Sequence, residues 1–311
     1  MADQRYRLVT RSDFDGVASA ALLKSRGLID EILFVHPKDV QDGKVAITDR
    51  DITTNVPYSP ACHLAFDHHA SETERIGGKT PPNLVLHPDA PSTVHVVYRH
   101  YGGKNGFPNI SESLLDAVDK VDSAQLTQHE ILNPTGWILL GFLMDARTGL
   151  GRFRNFGKSN YQLMMALVDA IGTLDVDAIL KLPDVAERVA LYQEHRELSK
   201  AQLTRCSSVH KNLVEVDVRN EETIYATNRF VIYALYPACN ISMHVMWGRG
   251  NQNTVFAIGK SILNRTSKTH IGNLALTHGG GGHEAAGTCQ IDTEHAGAVR
   301  EELIRQITTD G

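Results

Sequence analysis

The chain has 311 residues, enough for two domains that each bury a core of their own. Hydrophobic residues make up 42% and charged residues 22% of the sequence, a balance that favours a folded globular protein over a disordered one. The formal net charge of −5 argues against a protein that coats long nucleic acids, because such binding depends on many cation–phosphate contacts. A small anionic substrate in a local basic pocket remains compatible with it.

The N-terminal residues MADQRYRLVT lack the basic segment and apolar core of a leader peptide. No run approaches the roughly 18 apolar residues that a membrane span needs. We therefore expect a cytoplasmic protein without a membrane partner. The four cysteines show no CxxC spacing, so buried free thiols are expected instead of a zinc site or disulfides; they are Cys62, Cys206, Cys239 and Cys289.

The first ninety residues alternate short β-rich runs with loops or helices, the pattern of a parallel sheet flanked by helices. The predicted strands are Arg7–Thr10, Ile32–His36, Val45–Thr48, His63–Phe66 and Leu84–Leu86. Three of these strands run directly into aspartates. Ligands in open α/β sheets bind beyond the carboxyl ends of the strands, so these aspartates are expected to meet at one edge of the sheet.

From Pro91 the pattern becomes helical, since this proline suits a first helical turn and Gly102-Gly103 can end the segment. Further helices are predicted at Ser111–Leu126, Trp137–Met144, Tyr161–Ile171 and Asp184–Arg205. The last of these is amphipathic and is predicted to link two domains.

After Arg205 short β-like runs return, with predicted strands at Leu213–Val218, Phe230–Leu235 and Thr254–Ile258 and a final helix at Glu294–Ile307. We therefore predict an α/β chain with a parallel-sheet, metal-binding domain over residues 1–190 and a linker helix over 191–208. A smaller α/β, substrate-binding domain follows over 209–311. An active-site cleft is expected between the two domains.

Two carboxylates stand at the end of the first predicted strand, in Asp13-Phe14-Asp15-Gly16. In an extended chain both point the same way, and Gly16 allows a tight turn into the helix that follows. Crowded carboxylates repel one another, and a divalent cation is the usual reason for such crowding. A helix cap with a solvated turn is the alternative interpretation of this motif alone.

Further acidic and imidazole groups follow two other predicted strands, as Asp49 and as Asp67-His68-His69. Such groups can ligate metal, position phosphate or transfer protons. A carboxylate shared by two cations would suit a two-metal site that hydrolyses phosphate esters. We infer that reaction class.

Together these residues resemble the DHH-family phosphoesterases that carry a C-terminal DHH-associated domain. The features that carry the resemblance span nearly the whole chain in the expected order: Asp13-Phe14-Asp15-Gly16, Asp49, Asp67-His68-His69, Ala90-Pro91-Ser92-Thr93 and Gly279-Gly280-Gly281-Gly282-His283-Glu284-Ala285-Ala286-Gly287.

The resemblance implies that Asp13 and Asp15 each help to bind one of two metal ions, with Asp49 between them. It also implies that His68 is a ligand, that Asp67 orients it, and that His69 contacts the phosphate. These three are the expected catalytic residues. Manganese is the ion that the family typically uses, with Mg²⁺ as the alternative.

A fourth acidic ligand is expected from the helical part of the first domain. Asp119 and Asp122 lie three residues apart on one helical face and are favoured, and Asp145 is the alternative. Arg11 departs from the family pattern, because many members have a histidine or aspartate at this position. A guanidinium cannot ligate a cation, so the first metal would lose a ligand and Arg11 would contact substrate phosphate instead.

In the second domain, the resemblance implies that the glycine-rich segment and Arg265 grip the part of the substrate distal to the scissile phosphate. Backbone amides of Gly280, Gly281 and Gly282 can approach an anion closely, and His283 adds a donor. Such a grip predicts short substrates.

The preferred function is a phosphodiesterase that converts linear dinucleotides or very short RNA into mononucleotides, and the resemblance to the family suggests the linear dinucleotide pGpG as the substrate. The alternatives are an exopolyphosphatase or a 3′,5′-bisphosphate nucleotide phosphatase and, in a different class, a nucleotide-binding sensor without catalysis. An exposed apolar helix face in the first domain would support a homodimer.

Overall fold

A computed structural model describes residues 4–311. Residues 1–3, where the segment inspected for a leader peptide begins, lie outside the described residues. The chain divides into two compact units, which are described separately. The first runs to Gln125 and includes Pro134–Ala190; the second comprises Leu126–Asn133 and Leu191–Gly311. The predicted division had placed residues 126–133 in the first domain.

The first unit contains a five-stranded, all-parallel sheet with the spatial order β2-β1-β3-β4-β5. Its strands are β1 (Tyr6–Arg11), β2 (Ile29–Val35), β3 (Asp51–Thr54), β4 (Leu64–Asp67) and β5 (Leu84–Leu86). All five strands run the same way, so their carboxyl ends lie along one edge of the sheet. The polar residues that follow β1, β3 and β4 are thereby brought together.

The α-helices of the described residues are, in chain order, α1 (Phe14–Ser25), α2 (Pro37–Gln41), α3 (Ala70–Arg75), α4 (Thr93–His100), α5 (Gly103–Gly106), α6 (Glu112–Asp122), α7 (Gln128–Leu132), α8 (Gly136–Met144), α9 (Asn160–Ile171), α10 (Val176–Leu180), α11 (Pro183–Arg205), α12 (Val231–Leu235), α13 (Ile271–Thr277) and α14 (Ala296–Asp310). Helix α1 is buried along most of its length and packs against α4, α6 and α9. Full burial of a side chain such as Leu22 or Leu23 stabilises a fold by roughly 1.5–3 kcal/mol. The core of the first unit therefore surrounds the helix that starts at the acidic motif.

The second unit contains a six-stranded mixed sheet with the order β10-β11-β9-β8-β7-β6, in which only β7 and β8 pair in parallel. Helix α14 packs Leu303 and Ile307 against the sheet core, which includes Met243 and Phe256. Its strands are β6 (Ser207–His210), β7 (Leu213–Asp217), β8 (Ile241–Trp247), β9 (Asn253–Lys260), β10 (Gly281–His283) and β11 (Ala286–Asp292).

The predicted α/β class is confirmed, but two predicted strands are wrong. Residues 45–48 form no strand, because Asp51 accepts hydrogen bonds from the Thr48 backbone N–H and from Arg7, both at 2.7 Å, and turns the chain before β3. The segment Phe230–Leu235 contains α12 instead of a strand. Its unbroken apolar run lacks the hydrophobic periodicity that would distinguish a helix from a strand. In the structure Asn228 accepts a hydrogen bond from the Phe230 N–H just before the helix begins.

Within the described part of the chain, no helix is both long and apolar enough to cross a membrane.

Candidate active site

The acidic motif after β1 is shaped by the start of α1. Asp13 has an extended backbone and caps the helix, where its Oδ1 accepts a hydrogen bond from the Gly16 N–H at 3.0 Å. A Cβ atom at Gly16 would lie 2.0 Å from the Arg11 carbonyl oxygen. Glycine is therefore required here, because the first turn of the helix returns against the end of β1.

Asp15 is buried and faces the N-terminus of α4. Its two carboxylate oxygens accept backbone hydrogen bonds from Thr93 and Val94, at 2.9 and 2.7 Å. A carboxylate is stabilised at a helix N-terminus, where unpaired N–H groups and the helix dipole both favour negative charge. The segment that begins α4 thus fixes the orientation of this carboxylate.

His68 follows β4 and is oriented by the same segment. Its Nδ1 donates a hydrogen bond to the Ala90 carbonyl oxygen at 3.2 Å, which places the lone pair of the neutral ring on Nε2. The buried Nε2 lies 3.0 Å from Asp122 Oδ2, but the angles are not those of a hydrogen bond. An imidazole held by its other nitrogen, with a buried nitrogen that lacks a hydrogen bond, is the usual arrangement of a metal-ligating histidine.

The ligand atoms of Asp15, His68 and Asp122 all lie within 4.8 Å of one another. Two carboxylates and one imidazole form a mixed oxygen and nitrogen ligand set that suits Mn²⁺. Mg²⁺ prefers oxygen ligands and is the second choice. Asp15 lies in the first turn of α1, His68 is the first residue after β4, and Asp122 is the last residue of α6. The donor set and the buried Nε2 both fit one divalent cation.

The electrostatics of this group also fit a cation. Burial and the neighbouring Asp122 raise the pKa of Asp15 to about 7, against the opposing effect of His68. Burial alone would lower the pKa of His68, but Asp122 and Asp15 raise it to about 9. In the metal-free protein these groups therefore hold protons at the position where a cation would bind.

Asp67 and His69 form a second pair beside this group. Asp67 is buried, and its Oδ1 accepts hydrogen bonds from the backbone N–H of His68 at 2.8 Å and from His69 Nδ1 at 2.7 Å. Partial burial would lower the pKa of His69, but the bond to Asp67 raises it. Asp67 thus holds the His69 ring, whose side chain is 45% exposed, and orients His68 only through the backbone.

The two aspartates of α6 differ in their contacts. Asp122 meets His68, whereas Asp119 accepts hydrogen bonds from the Ser92 hydroxyl and from His95 Nδ1, the latter at 2.8 Å. Asp119 is therefore not brought into the group of three. Its contacts hold the first turn of α4.

Two other acidic candidates are not in the group of three. Asp49 is exposed in the turn before β3, at the amino end of the strand, and the predicted bridging position is wrong because β3 begins later than expected. Asp145 forms a two-pronged ion pair with Arg147, with distances of 2.7 and 2.9 Å.

The residue that does follow β3 is Asn55, which sequence reasoning missed. It is buried, has a left-handed backbone with φ of 55°, and its side-chain amide donates to Asp13 Oδ1 at 3.2 Å. The Arg11 Nε lies 2.9 Å from Asp13 Oδ2. The available signal was the β-branched run Ile52-Thr53-Thr54, which ends in a residue that tolerates a left-handed backbone.

An open cavity adjoins these groups within the first unit. The residues that line it include Arg11, Asn55, Asp67, His69, Glu72 and Arg75. It combines two guanidinium groups with the half-exposed imidazole of His69, and these are donors that suit a phosphate.

The glycine-rich segment belongs to the second unit, where Gly281–His283 forms β10 and pairs with β11. A Cβ atom at Gly280 or Gly282 would lie 2.2 Å from a carbonyl oxygen of the neighbouring strand. Gly281 is exposed, and a Cβ atom there would meet nothing within 4 Å. Two of the three glycines are thus required by close strand pairing.

His283 and Arg265 are both exposed in this unit. The His283 ring accepts a hydrogen bond from the Ala285 N–H at 3.2 Å, and Arg265 Nε donates to the Ile262 carbonyl oxygen at 3.1 Å. These predicted substrate contacts stay predictions.

Comparison with solved structures identifies relatives over the whole chain. The pGpG-specific phosphodiesterase PggH from Vibrio cholerae is 59% identical, with a TM-score of 0.88 over 99% of this chain and 100% of that one. Two structures of the exonuclease RecJ with manganese are each 14% identical and share the fold. One has a TM-score of 0.52 over 97% of this chain and 90% of that one; the other, from Thermus thermophilus, has a TM-score of 0.51 over 98% and 52%.

No family model and no curated protein matches the chain. The identity to PggH over the full length is high enough to establish kinship without them. The chain belongs to the DHH phosphoesterases, and it is an enzyme of the hydrolase class.

Proposed function

We propose that this protein hydrolyses the linear dinucleotide pGpG to two molecules of GMP with the aid of a divalent cation. The observation that carries the proposal is the group of the buried Asp15 with the partly buried His68 and Asp122, in a chain that is 59% identical to a pGpG-specific phosphodiesterase. Water adds to the phosphorus of the phosphodiester, the bond to the 3′ oxygen breaks, and the released oxygen takes a proton.

The chain's own residues orient the reacting groups. A cation bound by Asp15, His68 and Asp122 would supply Lewis-acid stabilisation of phosphate oxygens and would lower the pKa of a bound water. His69, held by Asp67 and with a raised pKa, is suited to donate a hydrogen bond to the phosphate. Arg11 and Arg75 are paired with Asp13 and Glu72 and line the same cavity, where their guanidinium N–H groups can donate hydrogen bonds to the anionic substrate.

We assign the glycine-rich segment, with His283 and Arg265, to the part of the substrate distal to the scissile phosphate. The exposed Gly281 and its neighbouring strand edge support this assignment, because a backbone without a side chain admits close approach of an anion. Mn²⁺ is the proposed ion and Mg²⁺ the alternative.

The test is a product analysis with purified protein, Mn²⁺ or Mg²⁺, and pGpG, followed by chromatography for GMP. The dinucleotide pApA serves as a matched substrate of equal charge, while polyphosphate and adenosine 3′,5′-bisphosphate present terminal phosphates. We expect GMP from pGpG and little release of terminal phosphate. Faster turnover of polyphosphate or the bisphosphate, or binding of pGpG without product, would contradict the proposal.

A further inference from the structure

We propose that the site holds a single divalent cation, and that Arg11 and Asn55 occupy the side where a second cation would bind. The inference rests on the metal-dependent hydrolysis proposed above and specifies its metal content. It departs from the two-ion site that the family resemblance implies.

The first argument concerns Asp13, the carboxylate that a second cation would need. Its Oδ2 is ion-paired with Arg11 Nε at 2.9 Å, and its Oδ1 accepts hydrogen bonds from Gly16 and Asn55 at 3.0 and 3.2 Å. Hydrogen bonds alone would not exclude an ion, because a carboxylate offers about four lone-pair directions. The ion pair is the stronger obstacle, because Oδ2 then faces a permanent positive charge.

Arg11 cannot give way by losing its proton, since a guanidinium stays charged at any pH at which the protein is folded. A divalent cation on Asp13 would lie beside this charge, and the two would repel each other. Arg11 is the last residue of β1 and lies two residues before Asp13, so the chain itself holds the two groups close together.

Asn55 removes a second requirement of a two-ion site. It follows β3, and β3 lies between β1 and β4 in the sheet, so it stands between the strand ends that carry Asp13 and Asp67. Its side chain is a neutral amide that donates to Asp13. Two adjacent cations need a shared anionic ligand to offset their repulsion, and an amide supplies no charge for this purpose.

The other side of the site has the opposite character. Asp15 and Asp122 offer two carboxylates, and the ion pair of Asp122 is with His68, itself a ligand candidate. One cation thus has a complete set of three protein ligands. On the Asp13 side, Arg11 is paired with the carboxylate and also lines the open cavity, where it can bind a substrate phosphate in place of the second ion.

The test measures metal content directly. Metal-free protein is loaded with Mn²⁺, the bound ion is counted by calorimetry and elemental analysis, and electron paramagnetic resonance reports whether ions are magnetically coupled. We expect one ion per chain with an uncoupled spectrum. Two ions per chain with a coupled spectrum would overturn the inference.

The same samples are assayed with pGpG, so that the two proposals can fail separately. One ion per chain without GMP production would support the single-ion inference and refute the hydrolase. Two ions with GMP production would do the reverse. A folded protein that binds no ion would refute both.

A pair of double variants tests the residues named. Arg11→His with Asn55→Asp removes the fixed charge and adds a carboxylate, and we expect a second ion and a coupled spectrum. Arg11→Lys with Asn55→Asp is the matched control that keeps the positive charge, and we expect it to bind one ion. Retention of the first ion shows that either variant is folded, and equal stoichiometry in the two would overturn the role of Arg11.

Discussion

The sequence has two especially distinctive motifs, Asp67-His68-His69 and Gly279–Gly282. The residues of the first are explained by the partners of their side chains, and those of the second by close packing of the backbone. In the first, each side chain has a specific partner: Asp67 holds His69, and His68 lies between Ala90 and Asp122. In the second, Gly280 and Gly282 are required by the close approach of a neighbouring strand. A polar motif is therefore understood from what its side chains bind, and a glycine motif from what an added side chain would meet.

The largest expected effect is at the first motif, on replacing His68 by alanine. The substitution removes one of three ligand candidates and the only imidazole among them. We expect Mn²⁺ affinity and pGpG turnover to fall by at least about a hundredfold. Calorimetry and GMP production measure the two quantities, and near-normal values for both would break the assignment of His68 as a ligand.

A smaller loss is expected for Asp67→Asn. The amide cannot fully replace the carboxylate that holds the His69 ring, and misplacing a group that contacts the phosphate is expected to cost about 10- to 100-fold. We expect turnover to fall by that factor while one ion is still bound, because Asp67 is not in the group of three. Loss of metal binding in this variant would instead make Asp67 part of the ligand set.

The pH dependence follows from the raised pKa values of Asp15, about 7, and His68, about 9. Both protons must leave before a cation binds, so Mn²⁺ affinity is expected to rise between about pH 6 and about 9, by up to about tenfold per pH unit for each proton displaced. Calorimetry across this range checks it. A flat profile would show that neither proton competes with the ion.

The same shifts predict the opposite trend for the stability of the metal-free protein. Both pKa values are higher in the folded than in the unfolded chain, so the bound protons stabilise the fold at low pH. For His68, this contribution is complete below its ordinary pKa of 6.5 and is lost as the pH rises through about 9. The melting temperature of the metal-free protein should therefore fall over this range, and added Mn²⁺ should oppose the fall.

The second motif is tested by two alanine substitutions at neighbouring positions. A Cβ atom at Gly280 would lie 2.2 Å from the Thr288 carbonyl oxygen, so Gly280→Ala should destabilise the protein by about 1–3 kcal/mol. Gly281→Ala meets nothing within 4 Å and should leave the free energy of unfolding within about 0.5 kcal/mol. Denaturant unfolding measures both.

Gly281→Ala also reports on substrate binding. If the exposed backbone at Gly281 contacts pGpG, this variant should raise the KM without a change in stability. An unchanged KM would remove Gly281 from the substrate contacts and leave the motif with a purely structural role.

The smallest expected effect is that of Asp49→Asn. Asp49 is exposed in the turn before β3 and lies at the end of the strand opposite the site. We expect turnover to stay within about twofold of the unmodified protein and one Mn²⁺ to be bound per chain, as for an ordinary surface substitution. It is the matched control for Asp67→Asn, and a large loss would restore the bridging role that the sequence suggested.

The sequence predicted the parallel sheet, the helices that follow it and the placement of Asp15 and His68 at the carboxyl edge of the sheet. These predictions succeed because a carboxyl-edge site depends only on strand order and on polar residues that follow apolar runs. The prediction for Asp49 failed because the run ending in Ile47 and Thr48 has the pattern of a strand end. In the structure β3 begins only at Asp51, whose side chain is ion-paired with Arg7. No local pattern reveals an ion pair between residues 44 positions apart.

The sequence also could not show that Asp119 and Asp122 have different contacts. Both face the same side of α6, and one turn of the helix separates their contacts. Asp119 reaches His95 and Asp122 reaches His68, and this depends on how α4 and α6 pack. The pairing of Arg11 with Asp13 likewise became visible only in three dimensions.

The contacts between the site and the start of α4 suggest a way to follow metal binding without an activity assay. Asp15 accepts the backbone N–H groups of Thr93 and Val94, and His68 is anchored on Ala90, so the short stretch 90–94 is tied to two of the three ligands. Charge neutralisation at the ligands should alter the strength of these bonds. The rates of amide hydrogen exchange at Thr93 and Val94 would then report whether the ion is bound.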